Sequence, residues 1–314
     1  MKGLFASRQA LAGLALLALF ALVALFGPYL VQDPTAFVGV PLEPPSGAHW
    51  LGTNGQGQDV LAQTIAGARM SLLVGFAVGF GVVAIGAVVG TAAGFFGGLI
   101  DDGLSLLINV FLIMPGLPLM VVIAAYLPPG PVTIAWVLIF TGWAWGARVI
   151  RSQTLALRNK DFVSAAIVTG EHPLRIILWE ILPNQSGLLV SSFIGATLYA
   201  IGAQVGLEFL GLGDVSQVTW GTNLYWASND AALLTGSWWT FVPTGLCVAL
   251  VGLALGLLNN AIDELSNPRL KRETAYERRL RAAGVKPGTA TAVLLERNVP
   301  VVPAIDAAEP VGGE

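Results

Sequence analysis

The chain has 314 residues, 55% of them apolar and only 11% charged, whereas soluble domains carry roughly 25% charged residues. A fold this poor in charge must face lipid, and a net charge of −3 implies no bulk attraction to nucleic acid. The single cysteine, Cys247, excludes an intrachain disulfide framework and a Cys-based zinc site.

Six segments are long and apolar enough to span: Leu11–Val31, Ser71–Phe96, Gly103–Leu127, Pro131–Ala147, Gly187–Leu207 and Phe241–Leu258. A hydrocarbon core of ~30 Å needs about 20 helical residues, and none of the six contains Asp, Glu, Lys or Arg. The pattern predicts an all-α membrane protein with six transmembrane helices. The first span has a basic start like a signal peptide, but its apolar core is long and no small-x-small cleavage site precedes Gly27-Pro28-Tyr29, so it reads as a retained anchor helix. The second carries Gly75-x-x-x-Gly79 and Gly86-x-x-x-Gly90-x-x-x-Gly94, the fifth Gly202-x-x-x-Gly206 and the sixth Gly252-x-x-x-Gly256. Small residues four apart let helix backbones approach closely, within the chain or to a partner. Pro115 and Pro118 should kink the third span. The fourth is short and can extend through Trp143 and Trp145 into the interface.

Of the sixteen Lys and Arg, fifteen fall on one side of a six-span topology: Lys2 and Arg8 before the first span, Arg148 to Arg175 between the fourth and fifth, and Arg269 to Arg297 after the sixth. Only Arg69 lies opposite. The positive-inside rule therefore places both termini and the loop 148–186 in the cytoplasm, and 32–70, 128–130 and 208–240 outside. The domain reading is 1–31 as cytoplasmic start and anchor helix, 32–70 as an external segment, 71–262 as the core with a cytoplasmic loop 151–186 and an external loop 208–240, and 263–314 as a tail. Tyr276–Ala283 suits a short basic helix near anionic lipid, and the tail beyond Gly284 reads as disordered.

Between the fourth and fifth spans, Asp161 to Asn184 reads DFVSAAIVTGEHPLRIILWEILPN, a charge-bearing elbow of two short helices around Gly170 that stops at Pro183. Asp161 suits an N-cap, Gly170 the left-handed residue that ends a helix, and Pro173 the first turn of the next. Leu174, Ile177, Leu178 and Ile181 form an apolar stripe at helical spacing. From the residues alone, an ordinary interfacial loop and a docking elbow stay open.

Catalytic and metal residues are absent from this reading. No GxxxxGK[ST] phosphate loop, Gly-x-Ser-x-Gly or His-Glu-x-x-His occurs, and the two histidines, His49 and His172, fall on opposite sides of the topology. The outer loop is rich in aromatics, and Glu208, Trp220, Trp226, Trp238 and Trp239 are the candidates for a translocation path or external gate, with an interfacial aromatic belt as the plainer reading.

Several stretches carry a family resemblance. Ser164-Ala165-Ala166, Gly170 and Ile181-Leu182-Pro183 resemble the EAA loop of ABC importer permeases, with Ser164 in place of the usual Glu. His49-Trp50-Leu51-Gly52-Thr53 and Gly57-Gln58-Asp59-Val60 resemble the external HxxGT…GRDV segment, with Gln58 where Arg is usual. Gly67-Ala68-Arg69, Gly94-Phe95-Phe96-Gly97-Gly98, Glu208-Phe209-Leu210-Gly211-Leu212-Gly213, Trp220-Gly221 and Asn267-Pro268-Arg269 extend the match over residues 8 to 272. The chain is similar to the second integral-membrane subunit of the dipeptide/oligopeptide/nickel-type ABC importers. That resemblance implies the type I ABC importer permease fold in a prokaryotic inner membrane. It also implies a homologous second permease, two ATPase subunits or one fused pair, and an external solute-binding protein. It assigns Ser164, Ala165, Ala166, Gly170, Ile181, Leu182 and Pro183 to ATPase coupling, and it leaves ATP and Mg to the partner subunits, with no cofactor in this chain. A peptide-like solute leads and an oligosaccharide follows. A nickel importer, which favours His or Met ligands in the spans, and a stand-alone secondary transporter, which usually shows intramembrane ionisable residues, come last.

Overall fold

The computed structural model describes residues 7–266. Lys2, the Asn267-Pro268-Arg269 match and the expected tail, with its Tyr276–Ala283 helix, lie outside the described residues. The elements in chain order are α1 (Arg8–Phe26), α2 (Val60–Phe96), α3 (Gly98–Ile113), α4 (Gly116–Tyr126), α5 (Pro131–Arg158), α6 (Asp161–Val168), α7 (Pro173–Arg175), a π-turn (Ile176–Ile181), α8 (Leu182–Asn184), α9 (Ser186–Phe209), α10 (Trp220–Asn229), α11 (Ala232–Thr235) and α12 (Val242–Ser266). Among the described residues the one pairing of extended chain is an antiparallel bridge between Thr53 and Asp59. Among the described residues five helices are long and apolar enough to cross a membrane, and the bent pair α3–α4 makes a sixth crossing if it counts as one span.

α2 is the central post. Its glycine face packs backbone to backbone along α5: a Cβ on Gly86 would stand 3.2 Å from the Ala147 nitrogen, one on Gly90 2.5 Å from the Ala147 carbonyl, and one on Gly94 2.8 Å from the Arg151 carbonyl. Both helices therefore run in the same direction. On another face Gly75 meets Ile201 and Gly79 meets Thr197, so α9 runs antiparallel to α2. Gly13 of α1 abuts Ala254, Leu257 and Leu258 near the far end of α12. These directions bring the ends of α2 and α5 and the starts of α1 and α9 to one end of the bundle, the elbow end. The start of α2 marks the opposite, cap end.

Two apolar clusters fill the bundle. Phe20, Leu72, Ile201, Val251 and Leu255 join α1, α2, α9 and α12. Val74, Val78, Met120, Ile134, Leu138 and Ala200 join α2, α4, α5 and α9.

Two sequence expectations need correction. α2 begins at Val60 rather than Ser71, because Asp59 caps it, its carboxylate accepting the Ala62 N–H at 2.9 Å; the polar turns Gln63, Thr64 and Arg69 are helical. The third span is not one kinked helix: α3 and α4 meet at 86° across Met114-Pro115. Of the two options left open for the glycine pairs of the fifth and sixth spans, packing within the chain is not seen among the described residues, which leaves a partner. Cβ atoms on Gly202, Gly206 and Gly256 would meet nothing within 4 Å, and one on Gly252 would touch only Leu198 at 3.6 Å.

The cap is ordered by buried polar contacts. His49 Nδ1 lies 2.9 Å from Asp59 Oδ2, with both residues buried. Gln58 and Gln63 donate to the carbonyls of Thr35 and Pro34. Trp220, wholly enclosed, plugs this end: its Nε1 donates to the Thr64 carbonyl at 3.0 Å, its backbone N–H donates to Ser71 Oγ at 3.0 Å, and its ring meets Phe20 edge-on. Trp220→Ala should cost about 3–5 kcal/mol. Thermal unfolding in detergent measures it, with Trp220→Phe recovering the apolar part but not the Thr64 bond.

Candidate functional site

The elbow hangs from one end of the bundle. α5 runs unbroken to Arg158, and Asn159 and Lys160 turn the chain into α6. Lys160, not Asp161, occupies the N-cap position; Asp161 is the first helical residue, where its charge favours the positive end of the helix. Gly170 takes φ +76°, and its N–H donates to the Ile167 carbonyl at 3.0 Å. His172 then caps α7, with Pro173 at its first turn. The elbow does not stop at Pro183. It widens into the π-turn, where the Leu182 N–H reaches back to the Ile177 carbonyl, and continues through α8. The widening precedes Pro183, which has no N–H and whose ring crowds the carbonyl four residues back in a regular helix.

The elbow has two unlike faces. Val163, Ile176, Ile177 and Ile181 pack under Phe95 at the foot of α2, with Leu157, Ala166 and Leu182 at the margin. Only half of the expected stripe is therefore buried: Leu174 and Leu178 point outward, and Ile176 takes the inward place. The outward face carries Phe162, Ile167, Val168, Leu174, Leu178 and Trp179, with Val168 86% and Trp179 73% exposed. Ser164, Ala165, Gly170 and Pro183 are exposed beside them, and Ala166 is half-buried.

A bond absent from the sequence reading ties the two ends of the elbow together. Gln185 Nε2, at the root of α9, donates to Thr154 Oγ1 of α5 at 2.8 Å, and both residues are buried. Thr154 lies against Gly94, so this bond sits where α2, α5 and α9 converge. Thr154→Val leaves the buried Gln185 amide unpaired at a cost of about 1–3 kcal/mol, whereas Gln185→Leu should cost less, because Thr154 Oγ1 still donates to the Ile150 carbonyl at 2.8 Å. The double variant should cost less than the sum of the singles, a coupling that a double-mutant cycle on thermal unfolding will read.

Above the elbow, a cavity of about 650 Å³ opens between α2, α5, α9 and α12. Its wall includes Thr141, Trp145 and Tyr199, and its rim carries Ser191, whose Oγ lies 3.0 Å from Asn259 Oδ1 and 2.5 Å from Asp263 Oδ1.

Residues 86–272 match the family described as binding-protein-dependent transport system inner membrane component. The chain belongs to this family. It is 33% identical over 273 residues to the dipeptide transport system permease protein DppC of Bacillus subtilis (strain 168), covering 85% of this chain and 83% of that one. It is 29% identical over 272 residues to the oligopeptide transport system permease protein OppC of the same organism, covering 85% and 87%. Against OppC of Mycobacterium tuberculosis (strain ATCC 25618 / H37Rv) the identity is 31% over 268 residues, covering 83% and 91%. The protein is a multi-pass inner-membrane permease subunit.

In this permease the proposed outer gate residues are mostly structural. Glu208, 2% exposed, accepts from Gln204 Nε2 at 3.0 Å and Thr219 Oγ1 at 2.5 Å, wedged against Gly221 and Gly213. It locks the end of α9 to the start of α10. Trp220 is enclosed as described. Trp226 donates from Nε1 to the Val215 carbonyl and Trp239 to the Thr53 carbonyl. Trp238 is 51% exposed, and Trp226 and Trp239 are half-buried.

Proposed function

We propose that this permease is one of two homologous membrane subunits of an ATP-driven importer, and that its elbow, Ser164 to Pro183, seats in a groove of an ATPase subunit. The carrying observation is the elbow's outward face. Six apolar side chains stand exposed on a short, charge-bearing segment whose opposite face is anchored beneath α2 and α5. Exposed apolar surface of this kind marks an interaction site. The small residue Ala165, exposed on this face, allows close approach, and helix-in-groove seating uses such anchors. With fifteen of sixteen cations at the elbow end of the predicted topology, the elbow and both termini lie in the cytoplasm, and the cap formed by 32–70 with the loop 208–240 faces outward.

The ATPases bind ATP and Mg, and this chain supplies no ligand to either. An external solute-binding protein delivers the solute to the cap end. The cavity at the elbow end is this subunit's share of the path, completed by the second permease. The solute is peptide-like, as the names of the DppC and OppC relatives suggest. The complex reconstituted in liposomes with its second permease, ATPases and binding protein should hydrolyse ATP faster when peptide-loaded binding protein is present and accumulate the peptide. Hydrolysis indifferent to peptide-loaded binding protein, or complexes assembling without this chain, would overturn the reading.

A further inference from the structure

Of the sixteen residues of α3 only Ile108 is buried, so little apolar packing fixes this helix. It lies on α5 through Ile108 against Trp143, Ala144 and Ala147, and through Phe111 between Phe140 and Trp143. Val89 of α2, which leads into α3 across Gly97, joins the same cluster, and the other ties, toward the elbow end, are polar. Arg151 of α5 grips Asp101, in the first turn of α3, with two donors: Nε to Oδ1 at 2.5 Å and Nη2 to Oδ2 at 2.7 Å. Ser105 Oγ donates to the same Asp101 oxygen at 2.9 Å, and Arg148 Nη2 donates to Asn109 Oδ1 at 2.7 Å. The Arg151 and Asp101 side chains are 30% and 16% exposed, so water competes only partly for the pair. A bidentate guanidinium–carboxylate fixes angle as well as distance, which a packed methyl group does not.

The position of Arg151 matters more than its strength. Thr154, one turn farther along α5, holds Gln185 at the root of the elbow, and α5 leads into α6 after two residues. Whatever displaces the elbow displaces Arg151. At the other end of the contact, α3 carries α4, set at 86° to it. We propose that the Asp101–Arg151 pair is a positioning strut that makes the bent α3–α4 arm follow α5, so that movement at the elbow reaches the path. This rests on the docking role proposed above. Without the pair α5 shifts under the elbow while α3 stays behind, and ATP is spent without import.

The test uses the complete reconstituted importer and reads peptide transported per ATP hydrolysed, beside the yield of assembled complex. Asp101→Asn should lower that ratio about fivefold, within the span that single changes impose on coupling, with assembly unchanged. Asp101→Arg combined with Arg151→Asp should restore most of it. Arg151→Lys keeps the charge but loses the fork and should fall between, which keeps the test open if a stronger variant fails to assemble. Spin labels at Leu106→Cys and Trp136→Cys should hold a constant separation through the nucleotide cycle in the otherwise unaltered complex and a changing one in Asp101→Asn. An unchanged ratio in both Asp101→Asn and Arg151→Lys, or a label distance indifferent to Asp101→Asn, overturns the strut. Gly170→Pro runs in parallel: if it abolishes import while the strut variants do nothing, the strut alone falls, and if it too is silent, the docking reading falls first.

Discussion

Gly170→Pro should abolish import while the permease inserts and accumulates normally. Gly170 holds φ +76°, and the proline ring fixes φ near −65°, so the turn between α6 and α7 cannot form as it stands. The substitution also removes the N–H that bonds the Ile167 carbonyl at 3.0 Å. Together these cost about 3 kcal/mol or more, enough to depopulate the native elbow roughly a hundredfold at about 1.4 kcal/mol per decade. The damage stays local, because nothing lies within 4 Å of a Cβ built on Gly170 and the bundle core is elsewhere. Gly170→Ala separates strain from shape: it keeps the N–H and pays only about 1–2 kcal/mol for the left-handed backbone, so import should be reduced but present. Ala166→Glu attacks the same elbow from its buried side, where Ala166 touches the Val163, Ile176 and Ile181 cluster, and should uncouple import as well. Peptide uptake into vesicles, normalised to permease in the membrane by immunoblot, decides it; full uptake in Gly170→Pro would refute docking through this elbow.

Local chemistry made much of this elbow legible. A glycine followed three residues later by proline, between apolar runs, constrains the backbone wherever the segment sits. The spans were legible for the same reason, since hydropathy acts on each residue alone. The break in the third span was not. Proline forbids a regular helix but does not say how far the chain turns, and the 86° angle is set by what α4 packs on, Met120 and Ala124 being its buried residues. The enclosure of Trp220 is not legible, because an aromatic residue in an outer loop looks alike whether it sits in a belt or fills a hole. Its partners Thr64 and Ser71 are 156 and 149 residues away. Asp101–Arg151 and Thr154–Gln185 are of the same kind: Arg151 was counted for its charge, and only the folded chain shows which carboxylate it holds. Asp59 is within reach of the sequence, because an Asp before an apolar helical run is a cap signal.

Gly90→Val should prevent the bundle from closing, whereas Gly202→Ala should leave it intact, although both glycines stand in the same small-x-x-x-small pattern. A Cβ on Gly90 would lie 2.5 Å from the Ala147 carbonyl, 3.0 Å from Ile150 Cβ and 3.1 Å from the Arg151 nitrogen. Two of these atoms are backbone in the middle of α5, so no rotamer change makes room and the helices must separate. Between membrane helices the attraction is mostly close van der Waals contact, which falls off within an ångström of added distance. Overpacking a tight site costs about 1–3 kcal/mol and occasionally more; an immovable backbone opposite and a branched side chain put Gly90→Val at the top of that range or beyond. Gly94→Val should behave alike and also disturb the elbow, since its Cβ would lie 2.7 Å from Thr154 Cβ, the residue that holds Gln185. A Cβ at Gly202 meets nothing within 4 Å, so Gly202→Ala should shift stability by less than about 0.5 kcal/mol. Thermal unfolding of the isolated permease in detergent reads the contrast directly, and equal losses for the two variants would dissolve it. Because a Cβ at Gly202 meets nothing among the described residues, a defect of Gly202→Ala that appears only in the assembled importer would report on a partner subunit.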